Sequence, residues 1–200
     1  MTEIRYILRY VKDLLSDTEA VWIKLRDPNL REAQLDYMLR YYYWPMMAFA
    51  SLCVFLLHGN GVMLNSKLAF DAPFSFEYAL TGMVSFALGF AVGPSLAALV
   101  LRETFFRFTP IAIAKDQLEL FVHYSMSITM VISLFCAFLP NLKFLTFLHL
   151  YLIYVVWLGA MSYLDLLTSI YQRVFTIVAT AVIFYSPAIL QYILRLLFVH

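Results

Sequence analysis

Charge is what this sequence has least of. Only 14% of its 200 residues are Asp, Glu, Lys or Arg, against about 25% in ordinary soluble domains, while 63% are hydrophobic. So few charges cannot clothe a soluble domain of this size. The 14 basic and 13 acidic residues nearly cancel, which excludes the clustered basic excess of a nucleic-acid-binding surface. Cysteine is as scarce: Cys53 and Cys136 both fall in apolar runs and read as small buried hydrophobes, not as a disulfide framework or a metal site. No phosphate-binding loop, dinucleotide fingerprint, HExxH, CxxC or GxSxG motif occurs, so the sequence points to no common enzyme, no cofactor and no metal. An uninterrupted apolar leader is missing too, because residues 1–15 alternate charge with apolar side chains; the first span is expected to act as the insertion signal.

What the chain does have is apolar runs near 20 residues, the length needed to cross a hydrocarbon core of about 30 Å as a helix. Residues 78–101 hold no charge at all. Spans are expected at about 41–57, 78–101, 118–139, 144–164 and 174–194, preceded by a helical segment over residues 1–40. The fold class is therefore an all-α polytopic membrane protein, with five transmembrane helices and an N-terminal amphipathic helical collar. An odd span count without internal similarity argues against two equal repeats.

In the collar, Ile4, Ile7, Leu8, Val11, Leu14 and Leu15 recur at helical spacing beside Arg5, Arg9 and Lys12. That pattern suits a helix lying in the headgroup region or docked on the protein's own ends. Ser16 and Glu19 have capping-box spacing and open a short helix carrying Trp22, a residue favoured at the membrane interface, and Asp27–Pro28 open a third. Tyr41, Tyr42, Tyr43 and Trp44 read as an interfacial aromatic belt. Pro45 either starts a helix or kinks a continuous one, and Pro94 predicts a local bend. Thr109–Pro110 open a helix that runs on into the third span.

Positive charge in short flanking segments sets orientation. With the N-terminus in the cytoplasm, all 14 Lys and Arg lie inside except Lys67, Lys143 and Arg195, so an N-in, C-out arrangement is expected.

Residues 17–52, DTEAVWIKLRDPNLREAQLDYMLRYYYWPMMAFASL, resemble the Ypt-interacting-protein (Yip) family in its bacterial form. The likeness is carried by Trp22 in a short charged helix, the spacer to Tyr43 and Pro45, and the five spans that follow. It implies a five-helix protein of the bacterial inner membrane with a cytoplasmic N-terminus, non-enzymatic and associated with organising membranes or membrane complexes. Its expected partners are the lipid bilayer and a membrane protein or a second copy of itself.

Three groups of residues stand out as sites. Asp116, Glu119 and His123, spaced three and four apart, project from one side of a helix, and Asp165 is expected on the same membrane face. They form either a ligand or proton-relay site or a solvated rim, which Arg173 would join by ion pairing. His149 is an ionisable group inside the fourth span, either a functional site or a hydrogen-bonded neutral histidine. Ser85, Gly89, Gly93 and Ala97 repeat every fourth residue and form a packing seam, matched by Ser125, Thr129, Ser133 and Ala137 in the third span. The seam suits either that internal partner or a second copy. The sequence thus suits a membrane scaffold or adapter and, as the alternative, a small transporter or channel with polar groups on the cytoplasmic side.

Overall fold

The computed structural model describes residues 12–13, 16–26, 31–57, 75–109, 113–139, 147–166 and 169–198. Every regular element among them is helical: α1 Thr18–Leu25, α2 Arg31–Met38, α3 Trp44–Leu56, α4 Phe76–Thr104, α5 Lys115–Phe138, α6 Leu150–Ser162 and α7 Ser169–Phe198. A π-helical stretch, Leu39–Tyr43, joins α2 to α3 without a break, and a 3-10 turn, Phe106–Phe108, follows α4. Most of the amphipathic stretch over residues 2–15, the Asp27–Pro28 cap and the connections around 58–74 and 140–146 lie outside the described residues.

Among the described residues three helices are long and apolar enough to cross a membrane: α4, α5 and the Ile170–Leu194 part of α7. α6 and the turn before it make a shorter apolar run, Phe147–Ser162. In α4 the buried face carries Ala79, Gly82, Ser85, Gly89, Gly93 and Ala97, while Leu80, Leu88, Val92 and Leu99 point outward. α7 turns Ile170, Val174, Ile177, Ile189 and Ile193 outward in the same way. Large apolar side chains also lie inside, Phe86, Phe90 and Leu101 in α4 and Phe175 and Ile183 in α7, so these helices are apolar on both faces with small groups at the close contacts, the pattern expected where lipid is the solvent.

α5 is the axis of the molecule. Its most apolar stretch is 78% buried, against 50% for α4 and 33% for α7, and it touches α2, α3, α4, α6 and α7. α4 and α7 make the most extensive pairing, α3 lies on α4, and α1 lies on α6. Arg102, Arg107, Lys115 and Arg173 cluster towards one end of the long helices, the charged end below.

Several local expectations change. The cap of α1 is Asp17, whose carboxylate accepts the Ala20 N–H at 3.2 Å; aspartate is as good an acceptor as the neighbouring serine, and Ser16 is exposed. α5 starts at Lys115 with Ala114 as its N-cap, and Thr109 is extended, so no helix runs on from Thr109 into the span. Pro45 follows the first residue of α3, and the strain of seating its ring is taken up in the π turn, where the Trp44 N–H reaches back five residues to Leu39 O. The helix is continuous and locally widened. Hydroxyls inside helices bond back to the chain: Ser51 to Met47 O at 2.7 Å, Ser133 to Thr129 O at 2.8 Å and Thr176 to Gln172 O at 2.8 Å, which lets polar side chains sit in an apolar environment.

Candidate functional site

α1 buries Thr18, Val21, Trp22 and Leu25, which are spaced three and four apart and so form one stripe. Trp22 is fully buried. Its ring centroid lies 5.2 Å from Phe121, 5.9 Å from Tyr124 and 5.4 Å from Tyr163. Gly159 forms the floor of this socket: a Cβ there would come within 2.6 Å of the Phe121 ring and 2.8 Å of the Trp22 ring. The indole is thus a core side chain and not an interfacial one, because α6 supplies a glycine where any other residue would block it. Two polar contacts fasten the ends of α1. Thr18 Oγ1 and Tyr151 Oη are 2.9 Å apart, and the Arg26 guanidinium donates to the Asp165 carboxylate.

The aromatic cluster at 41–44 divides. Tyr42 and Tyr43 are buried while Trp44 is exposed, and the cluster lies beside the middle of α4, not at its end. Tyr43 has a specific reason to be inside. Pro94 has no N–H, which leaves the carbonyl of Phe90, four residues earlier, without its helical donor. The Tyr43 hydroxyl donates to that oxygen at 2.7 Å. α4 therefore passes through Pro94 unbroken, with its missing hydrogen bond supplied from another helix. Tyr42 donates to Ser127 Oγ at 3.2 Å, and Ser127 in turn donates to Tyr124 O at 2.7 Å.

The structure places the four polar candidates on two sides of α5. His123 is buried edge-on to Tyr43, ring centroids 5.0 Å apart, with Nδ1 2.8 Å from Glu119 O. Glu119 is 25% exposed and pairs with Lys115 at 3.7 Å, and Asp116 is exposed. Gln117, two residues before Glu119, donates to Tyr163 O at the end of α6 at 2.9 Å. Two residues turn a helix by about 200°, so Glu119 faces away from the side on which Asp165 stands. Asp165 pairs with Arg26 and not with the exposed Arg173. Its backbone is left-handed, φ 58, a conformation aspartate tolerates better than most residues. Among the described residues no three His, Cys, Asp or Glu side chains lie close enough to hold a metal. Arg102 and Arg107 both reach Glu103, at 3.2 and 3.5 Å, so this end carries a rim of ion pairs.

The seam residues Ser85, Gly89, Gly93 and Ala97 are all buried. Their closest partner is α7. A Cβ on Gly89 would lie 2.7 Å from Gln191 Cγ and 3.0 Å from Pro187 O, and one on Gly93 would lie 3.3 Å from Met126 Sδ and 3.4 Å from Pro187 Cβ. The α5 row is not the main partner, because Gln191 and Pro187 occupy the space the glycines leave. His149 is the N-cap residue of α6 and not an interior one, with its ring edge-on to Phe184 at 5.0 Å. It lines a largely apolar groove of about 310 Å³ between α6 and α7.

Sequence reasoning missed the Trp22 socket and the Tyr43–Phe90 bond. The available signals were a lone glycine, Gly159, among bulky neighbours and a proline in mid-span that demands an outside donor. No family model, curated protein or solved structure matches this chain.

Proposed function

We propose that the chain is a five-span membrane scaffold or adapter, non-enzymatic, with the N-terminus and the charged end on the cytoplasmic side and α1 seated along α6. The single observation behind this reading is the fixed seat of α1. A helix of 8 residues is too short to persist alone, yet this one is locked by a fully buried tryptophan and two polar fastenings, and it turns Glu19, Ile23 and Lys24 outward. Such a helix presents a constant surface to a membrane-protein partner or a second copy. The two further spans of this reading are α6 with its preceding turn and residues 41–57, which run from the π segment through α3; neither run carries an Asp, Glu, Lys or Arg. The likeness to the bacterial Yip family at residues 17–52 supports the same plan, including an inner-membrane location and an N-in, C-out orientation. Cysteine labelling tests the topology: position 67 is expected to react from outside and position 107 only from the cytoplasm. Photo-crosslinkers at Glu19 and Lys24 test the scaffold reading in native membranes; a discrete protein adduct, absent when the crosslinker replaces lipid-facing Ile177, is expected, and lipid adducts alone would overturn it.

A second reading, a small transporter, draws on one feature. Pro94 and Pro187 lie in the two helices of the tightest pairing, and Ser85, Ser125, Thr129 and Ser186 place buried hydroxyls without partners in and around it. Both helices run on through their prolines, so what favours this reading is the set of polar groups between two spans, as in midplane sites. Solute flux into proteoliposomes, lost on Gln191→Leu, would favour this reading over the first.

A further inference from the structure

Between α4 and α5, at the charged end, lies a cleft of about 370 Å³, within the range of about 300–1,000 Å³ typical of ligand sites. Its α4 wall is Ser95, Ala98, Leu99 and Arg102, one face at three- and four-residue spacing, and its α5 wall is Lys115, Leu118 and Glu119. Phe106 and Ile113 close the end. From Arg102 at the mouth to Ser95 is seven residues, about 10 Å along the helix. Over that distance the lining passes from two cations and a carboxylate to leucine, alanine and a single hydroxyl.

We propose that this cleft binds an anionic glycerophospholipid, with its phosphate between Arg102 and Lys115 and the start of an acyl chain along Leu99 and Leu118. The proposal rests on the membrane reading above. Three observations carry it. First, the ionisable lining sums to one positive charge, the complement of one phosphodiester. Second, among the described residues Arg102 commits only Nε, to Glu103 at 3.2 Å, leaving both terminal nitrogens of a planar fork suited to phosphate oxygens. Third, the gradient from charge to apolar wall follows the long axis of a lipid, and a soluble phosphate would have no use for its deep half; basic pockets between membrane helices on the cytoplasmic side take lipid headgroups in this way. The first turn of α5 has no side-chain cap and adds its positive dipole end at Lys115, offset in part by exposed Asp116.

Native mass spectrometry of the protein in nanodiscs tests this, with equal phosphatidylglycerol and phosphatidylcholine as the probe. Wild type is expected to retain phosphatidylglycerol over phosphatidylcholine by about thirtyfold, the effect of two basic contacts near a membrane surface. R102Q/K115Q is expected to lose that preference, and R107Q/R173Q, which removes two cations outside the cleft, to keep it. Glu119→Gln removes the only acid among the described lining residues and releases Lys115, so it should raise the preference, a gain that a damaged fold cannot produce. Equal loss in both double variants, no preference in wild type, or no gain with Glu119→Gln would each overturn the site. Displacement of the lipid by millimolar glycerol phosphate would identify a soluble ligand and overturn the lipid assignment. Failure of the chain to enter nanodiscs would sink the membrane reading and this site with it; insertion without preference would sink the site alone.

Discussion

Replacing Tyr43 by Phe removes one oxygen and keeps the ring contacts to His123 and Trp44. What it exposes is the carbonyl of Phe90, which Pro94 deprives of a helical donor and which Tyr43 reaches at 2.7 Å. A buried polar group left without a partner costs about 1–3 kcal/mol. Side-chain hydrogen bonds between membrane helices average nearer 0.6 and reach about 1.7 kcal/mol. The second range is low because most such acceptors have alternatives, whereas Phe90 O lacks its own helical donor, so Tyr43→Phe is expected to cost about 1.5 kcal/mol. That is close to tenfold in the folding equilibrium. Pro94→Ala restores an N–H at residue 94, and in that background Tyr43→Phe is expected to cost no more than about 0.5 kcal/mol, a coupling near 1 kcal/mol, well within the range for residues in one network. Reversible unfolding of the four proteins in mixed micelles, titrated with denaturing detergent, gives the cycle. An equal cost of Tyr43→Phe in both backgrounds would refute the account of why this tyrosine is buried.

The glycines rank themselves by what a methyl group would meet. Gly89→Ala runs into Gln191 Cγ and a backbone oxygen and should destabilise by about 1–3 kcal/mol, whereas Gly93→Ala meets a flexible methionine and should stay within about 1 kcal/mol; thermal melting in detergent that inverts this order would discard the α4–α7 seam as described. Gly159→Ala should release α1, read as faster backbone exchange over residues 18–25, with Trp22→Ala giving the same local change and about 3–5 kcal/mol of lost stability; protection of α1 in both variants would show that the socket does not hold it. At Asp165, Asn tolerates the left-handed backbone and gives up only a half-exposed ion pair, so Asp165→Asn should cost at most about 1 kcal/mol and Asp165→Ala about 1–2 kcal/mol more. Equal melting temperatures for the two would show that the backbone conformation is not the stronger constraint.

The helical class and the three long apolar helices were legible because lipid imposes length and composition on a span whatever it packs against. The row Ser85, Gly89, Gly93 and Ala97 was equally legible as a place of close approach. Its partner was not, since a lack of side chains says nothing about which helix fills the space; Gln191 and Pro187 do. Tyr43 and Trp22 carry the composition of an interfacial belt, and nothing local distinguishes a ring at the interface from one in a socket. The difference lies in Pro94 and Gly159, far away in sequence. The polar group failed to gather for a related reason. Spacing puts Glu119 and His123 on one side of α5, but the contact from Gln117 to α6 sets the rotation of that helix, and so turns Glu119 away from Asp165.

The socket of Trp22 also has a timetable. Thr18 and Tyr151 are 133 residues apart, and Arg26 and Asp165 are 139 apart. At the usual synthesis rate of about 5–20 residues per second, roughly 7–30 s separate the making of α1 from the making of its last partner. Throughout that interval Trp22 has no Gly159 to rest on, and α1, among the first helices of the chain to be made, is among the last to be fastened. Its docking thus marks a finished bundle: any partner that recognises the seated helix recognises a chain whose fourth apolar segment has already been made and has come to lie beside the first helix.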